Sequence, residues 1–157
     1  MSSRNPMMLE RRAQNWILVL KISIRPYTEE DQEAVIKLWD KVFPGAPAHN
    51  NPARDRRTRQ EVPPELFLLA LVEEEIVGLV MAGCEDHQGW VHYLGIDPSF
   101  RRKGIGTTLM KRIEARLISM GCQELHFQIW ASKAEVQAFY ETLGYNAEDR
   151  LTMGKRF

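Results

Sequence analysis

The stretch that most narrows what this chain can fold into runs from Val91 to Met120. A short apolar strand, Val91 to Ile96, is followed by Arg101-Arg102-Lys103-Gly104-Ile105-Gly106-Thr107-Thr108 and then by a helical pattern with Ile105, Leu109, Ile113, Leu117 and Met120 on one face. Gly104 and Gly106 let the backbone come close to a ligand, and a fresh helix start offers unpaired N–H groups at the positive end of the helix dipole. The three cations ahead of those amides favour an anion, although the chain as a whole is neutral, with 21 Lys plus Arg against 21 Asp plus Glu. A turn of this kind is built to hold a diphosphate. It is not a dinucleotide fingerprint, because position 109 is Leu, and it is not a P-loop, because no Gly-Lys-Ser/Thr follows. By itself the turn also fits an ordinary strand-to-helix connection, and Arg101 to Lys103 a solvated cluster.

Breakers and periodicity organise the rest. Residues 1–15 are polar and aperiodic and read as a flexible extension; residues 16–157 read as one domain. Trp16 to Tyr27 forms a first strand ended by Pro26, and Thr28-Glu29-Glu30-Asp31 caps a helix with Val35, Ile36, Leu38, Trp39 and Val42 at helical spacing. Phe43 to Pro64, with five prolines, is a long irregular region on the substrate side, in which Ala53 to Val62 could hold a short helix. Glu65–Val72 and Ile76–Cys84 make a hairpin about Glu73-Glu74-Glu75, and Gly89 to Ile96 follows through the turn Asp86-His87-Gln88. The helix from Gly104 to Met120 stops at Gly121, Glu124 to Trp130 alternates as a fifth strand, and Ser132-Lys133-Ala134-Glu135 is a capping box. That box opens a helix striped by Val136, Phe139, Tyr140 and Leu143 and stopped by Gly144; Asp149 to Met153 is a last strand. An antiparallel middle and a strand–helix–strand alternation afterwards predict an α/β fold of mixed α+β character, with a mixed sheet.

The stretch Leu94-Gly95-Ile96-Asp97-Pro98-Ser99-Phe100-Arg101-Arg102-Lys103-Gly104-Ile105-Gly106 resembles the acetyl-CoA signature of the GNAT N-acetyltransferase superfamily, Gln/Arg-x-x-Gly-x-Gly/Ala after a strand ending in Val/Ile-x-Pro. Phe139-Tyr140-Glu141-Thr142-Leu143-Gly144-Tyr145 resembles its second hallmark, Phe-Tyr-x-x-Leu-Gly-Phe/Tyr. Two motifs in the right order are far more specific than either. The ending Leu151 to Arg156 and the Arg-rich segment after Asn51-Pro52 resemble the YpeA-like bacterial branch. The resemblance implies a twisted mixed sheet of about six strands flanked by helices, whose fourth and fifth strands splay so that the pantetheine arm of acetyl-CoA lies beside the fourth. On this chain it puts backbone groups of Leu94, Gly95 and Ile96 against pantetheine and the amides from Arg102 to Thr107, including Lys103, Gly104, Ile105 and Gly106, around the diphosphate. Arg101 and Arg102 add charge. The family often has Asn where this chain has Lys133, which puts one contact to the cofactor arm in doubt.

The same resemblance gives Tyr140 the role of an acid that protonates the departing CoA sulfur, a role compatible with a packed aromatic on a helix face. An attacking amine must lose a proton, and the fourth strand offers no carboxylate to take it. His92, a residue type that titrates near neutrality and one sharing strand parity with Leu94 and Ile96, is the first candidate base, with packing as its competitor. Glu85, Asp86, His87 or a water chain are alternatives. Neither the core Arg101–Gly106 nor Phe139–Tyr145 holds Cys or Ser for an acyl intermediate, so direct attack in a ternary complex is expected. Arg56 and Arg57, within the cluster Arg54 to Arg59, are candidates for meeting an acidic acceptor, or form a solvated helix face.

Composition limits the partners. No basic bias calls for nucleic acid, and Trp16 to Leu20 is too short to span a membrane. The two cysteines, Cys84 and Cys122, lack disulfide-framework or metal spacing and read as ordinary thiols of a cytoplasmic protein. The expectation is an acetyl-CoA-dependent enzyme without a metal, acting on a small-molecule or protein amine, with a homodimer left open. A non-catalytic CoA-binding module and a plain phosphate-binding domain are the competing readings.

Overall fold

The structure is a computed structural model that describes residues 21–45, 51, 62–129 and 132–157. The extension over 1–15, the start of the first strand, the segment 53–61 and its cluster Arg54–Arg59, Arg56 and Arg57 included, lie outside the described residues. Two compact units are present, one reaching to Phe127 and one from Gln128 to Phe157.

In the first unit, β1 (Ile22–Pro26), β2 (Phe67–Val72), β3 (Glu75–Glu85), β4 (Gln88–Ile96) and β5 (Glu124–His126) form one sheet in that order. The first four pair antiparallel and β5 joins β4 in parallel, so the mixed sheet expected from the strand order is present. Helix α1 (Gln32–Val42) covers one face and α2 (Ile105–Ser119) the other. Alternation along β2 and β3 supplies both faces. Phe67, Leu69, Leu71, Leu79 and Met81 pack with Val35, Leu38 and Trp39 of α1. From α2, Ile105, Leu109, Met110, Ile113 and Leu117 are all buried; Met120, expected in that stripe, is half exposed because it has already passed the last helical turn. Each such fully buried aliphatic side chain contributes about 1.5–3 kcal/mol. No helix among the described residues is long and apolar enough to cross a membrane.

Gly121 (φ 88°) ends α2 as its spacing predicts. The N–H of Cys122 donates to the Leu117 carbonyl and that of Gly121 to the Ile118 carbonyl, both at 3.0 Å, a Schellman cap. Cys122 then meets Cys84 of β3: the pair is disulfide-bonded, with Cα atoms 6.6 Å apart. This corrects the reading of two ordinary thiols. The partners are 38 positions apart and are joined only because the end of β3 and the end of α2 converge, which no local spacing encodes.

In the second unit, α3 spans Ala134–Thr142. The capping box expected at Ser132–Glu135 does not form, because the N-cap is Lys133, one residue later, and it makes no side-chain cap. Val136, assigned to the apolar stripe, is exposed. The last strand expected over Asp149–Met153 is irregular, with Leu151 and Met153 93% and 91% exposed. Two apolar residues in alternation satisfy a strand pattern without supplying the hydrogen-bonded neighbour a strand requires. Among the described residues the sheet therefore has five strands rather than about six.

The turn between β1 and α1 is held by one ion pair. Both terminal nitrogens of Arg25 reach the Asp31 carboxylate, at 2.6 and 2.7 Å, and the Thr28 N–H donates to it at 2.9 Å. Chiefly through Arg25, this holds the Asp31 carboxyl down at about 2, below its usual 3.8. A depressed carboxylate contributes stability above its unfolded value that is lost as pH falls through the folded one, so the loss lies between about pH 4 and pH 2. With Arg25 partly exposed, the contribution is on the order of 1 kcal/mol. Urea unfolding at pH 7 and pH 3 should show the parent losing more stability than Asp31→Asn; equal losses would dismiss the pair.

Candidate active site

β4 carries the site. It pairs with β3 from Gln88 to Ile96 but with β5 only at Gln88, Gly89 and Trp90, opposite Glu124, Leu125 and His126. From Val91 to Ile96 its outer edge has no strand partner among the described residues, so the two strands part where the splay was expected. Of the fifth strand expected over Glu124–Trp130, Phe127, Gln128 and Ile129 are irregular and Trp130 lies outside the described residues. Backbone groups of Leu94, Gly95 and Ile96 thus lie along an open edge. Ile96 leans toward α2, since a Cβ on Gly78 would come within 2.9 Å of Ile96 Cδ1 and 3.2 Å of Leu109 Cδ1. Gly95 faces the other way, its missing side chain leaving room for Val42 and Phe43.

Asp97 connects this strand to the helix, and the sequence reading passed over it. Its N–H donates to the Val77 carbonyl at 2.8 Å, extending the sheet, while its buried carboxylate accepts from the Ser99 N–H at 2.9 Å and from Lys41 of α1 at 3.1 Å. The Ser99 N–H above all, with Lys41 adding, holds the carboxyl below the usual carboxylate range against the opposing effect of burial. The signal was available: Asp followed by Pro is a cap for a short turn, here Pro98–Phe100.

Beyond that turn Arg101, Arg102 and Lys103 are exposed, with Lys103 lying 5.1 Å over the Phe100 ring. Arg102 and Gly104 adopt positive φ, 62° and 81°. Gly104 is the N-cap of α2 and no side chain caps that end; its carbonyl accepts from the Thr108 N–H (3.0 Å) and Oγ1 (2.8 Å). The N–H groups of Ile105, Gly106 and Thr107 have no place in the helical ladder and point outward along the axis. The open β4 edge, three cations and an uncapped helix start follow one another along the chain, a combination suited to a phosphate-bearing ligand with an extended arm.

His92 is where the structure departs most from the strand-parity argument. Tyr93 pairs with Met81 and Val91 with Ala82, so His92 stands opposite no residue, as the extra residue of a bulge. A Cβ on Gly83 would come within 3.1 Å of His92 Nε2, which puts the ring over Gly83 on the α1 face, the face of Trp90 and Tyr93, and not with Leu94 and Ile96. The alternatives Glu85, Asp86 and His87 sit at the β3–β4 turn, where His87 Nδ1 is 3.1 Å from the Gly121 carbonyl. That is roughly 25 Å of strand from Ile96. On the α1 face the Trp90 ring lies 5.1 Å from that of His126 and tilted by 37° to it, and His126 Nε2 is 3.0 Å from Glu124.

In the second unit, Tyr140 is buried in α3, with the Phe139 ring at 5.1 Å and the Tyr145 ring edge-on at 6.0 Å. Burial pushes its phenol up to about 12, so it keeps its proton at neutral pH. Lys133 is exposed at the start of the helix.

The sequence model of the acetyltransferase (GNAT) family matches residues 22–145, a span that includes Arg101–Gly106 and Phe139–Tyr145. The chain is 40% identical over 135 residues to Acetyltransferase ECA0875 of Pectobacterium atrosepticum, covering 86% of this chain and 95% of that protein. The solved aminoglycoside N-acetyltransferase AAC(6')-Iy in complex with CoA superposes with a TM-score of 0.72 at 18% identity, over 87% of this chain and 95% of that one. The ribosomal-protein-S18-alanine N-acetyltransferase from Escherichia coli superposes at 0.66 and 18% identity, over 80% and 77%. At that identity the structural likeness concerns the fold, and the matches do not distinguish a YpeA-like branch.

Packing around β4 makes a sharp test. A Cβ on Gly95 would lie 2.7 Å from Val42 Cγ1 and 3.2 Å from the Phe43 ring. Gly95→Ala should therefore cost about 1–3 kcal/mol in urea unfolding. Gly104→Ala meets no neighbour and should cost only about 1 kcal/mol, through its φ. A Gly95→Ala protein as stable as the parent would mean that α1 does not pack on β4 at this point.

Proposed function

The chain belongs to the acetyltransferase (GNAT) family, and from that membership we propose that it moves an acetyl group from acetyl-CoA to a primary amine by direct attack in a ternary complex. The observation that carries this reading is the uncapped, cation-flanked start of α2 that follows the open edge of β4 along the chain. One domain over residues 16–157 performs it. When bound, acetyl-CoA supplies the activated acetyl thioester. The amides of Ile105, Gly106 and Thr107, with Arg101, Arg102 and Lys103, hold its diphosphate, and backbone groups of Leu94, Gly95 and Ile96 hold its pantetheine arm.

Tyr140 keeps its proton until a sulfur leaves and then donates it; the buried phenol is protonated near pH 7, the form that this role requires. His92, exposed on the α1 face by the bulge, takes the proton that the amine must lose. The acceptor is a small-molecule amine or a protein amine. Support for that class comes from proteins of the same fold whose names specify an aminoglycoside and a protein alanine as acceptors. Arg56 and Arg57 would meet an acidic acceptor. A cytoplasmic setting belongs to the same reading, and the Cys84–Cys122 pair is the feature that weighs against it.

Calorimetry with acetyl-CoA, CoA and ATP decides the cofactor. The parent should bind both CoA species, and a Gly104→Glu, Gly106→Glu protein, shown folded by circular dichroism, should bind them on the order of a hundredfold more weakly. If the parent binds ATP but neither CoA species, the phosphate-binding reading replaces this one. Tyr140→Phe should lower kcat by about 10²-fold with little change in the KM for acetyl-CoA; an unchanged kcat would remove Tyr140 as the acid.

A further inference from the structure

The second hallmark motif contains more than Tyr140. Its Leu143-Gly144-Tyr145 end forms a Schellman cap: the Gly144 N–H donates to the Glu141 carbonyl and the Tyr145 N–H to the Tyr140 carbonyl, both at 3.1 Å, with Gly144 at φ 93°. In this cap the residue after the glycine is folded back over the residue three places before the C-cap residue, here Leu143. Here those two residues are Tyr145 and Tyr140. Their rings meet at 6.0 Å and 87°, an edge-to-face pair of the kind worth more than its buried area. The Phe139 ring, at 5.1 Å and 62°, adds a second tilted contact.

A helix of nine residues has no stability of its own to fix a side chain in its last turn. The end of such a helix frays unless the cap holds it. Tyr140 lies two residues before that end, so its backbone and its ring are held by the same device: the carbonyl by the Tyr145 N–H, the ring by the Tyr145 ring.

Resting on the assignment of Tyr140 as the acid, we infer that Tyr145 is a positioning residue, holding the Tyr140 ring in place from a Gly144-dependent cap. The glycine and the aromatic of the motif therefore act as one unit. The edge-on ring of Tyr145 is the part assigned to positioning. The side chain at Tyr145 need touch neither co-substrate nor acceptor.

The test compares Tyr145→Phe, Tyr145→Leu, Tyr145→Ala and Tyr140→Phe in the full chain, by steady-state kinetics with acetyl-CoA and an amine found to be acetylated, alongside thermal melts. Tyr145→Phe should retain kcat within about twofold, because the edge-on ring remains. Tyr145→Leu and Tyr145→Ala should lose about 10- to 100-fold in kcat with the KM for acetyl-CoA little changed, as misplacement of a catalytic group by about 1 Å does. If Tyr145→Ala does not fold, the Leu variant, which retains apolar bulk without a ring, decides. Full kcat in Tyr145→Leu, or a loss in Tyr145→Phe equal to that in Tyr145→Leu, overturns the inference. A Tyr140→Phe protein with undiminished kcat overturns the underlying acid assignment instead, so the two failures are distinguishable.

Discussion

The release of β4 by β5 after Trp90 and His126 is the constraint on which the first unit depends. β4 is bonded along its length to β3, which keeps it rigid, while β5 pairs with only three of its residues and leaves the rest of its outer edge without a strand partner among the described residues. Unpaired backbone groups at a strand edge need partners. In a sheet covered by a helix on each face, that edge is where an extended ligand can satisfy them, and the strand leads directly to a helix start that favours phosphate.

The rigidity of the connection comes from Asp97. By accepting from Ser99 and Lys41 while its N–H extends the sheet, it ties the end of β4 to α1 before the chain turns through the cationic loop. The glycine at 95 has the complementary role, letting Val42 and Phe43 approach the strand. The two faces of β4 thereby acquire different surroundings: α2 with Leu94 and Ile96 on one, α1 with Trp90, His92 and Tyr93 on the other. Within the C-terminal unit the Schellman cap does for Tyr140 what Asp97 does for the loop, replacing a frayed end with fixed backbone geometry.

Much of this was legible in the residues. The charged turn Glu73-Glu74-Glu75 between two apolar runs located the hairpin β2–β3, helical spacing located α1 and α2, and Gly121 and Gly144 ended their helices with positive φ. The phosphate-suited turn was legible because its ingredients, glycines and cations before a helix, are contiguous. Errors fell where a pattern was too short or was interrupted. A single extra residue at His92 reversed the face that strand parity assigned to it, the pair Leu151 and Met153 mimicked a strand, and Ser132 was taken for a cap that Lys133 occupies.

What the sequence by itself determined was therefore local: which segments become strand or helix, where the helices stop, and that an anion-favouring turn sits between β4 and α2. These follow from backbone propensity and from neighbours within a few positions. Only tertiary structure decided that Cys84 meets Cys122, that Lys41 reaches Asp97, and that β5 leaves β4 after three residues. Those pairings join residues far apart in the chain, and their geometry depends on how the sheet twists and where the helices dock, which no local spacing records.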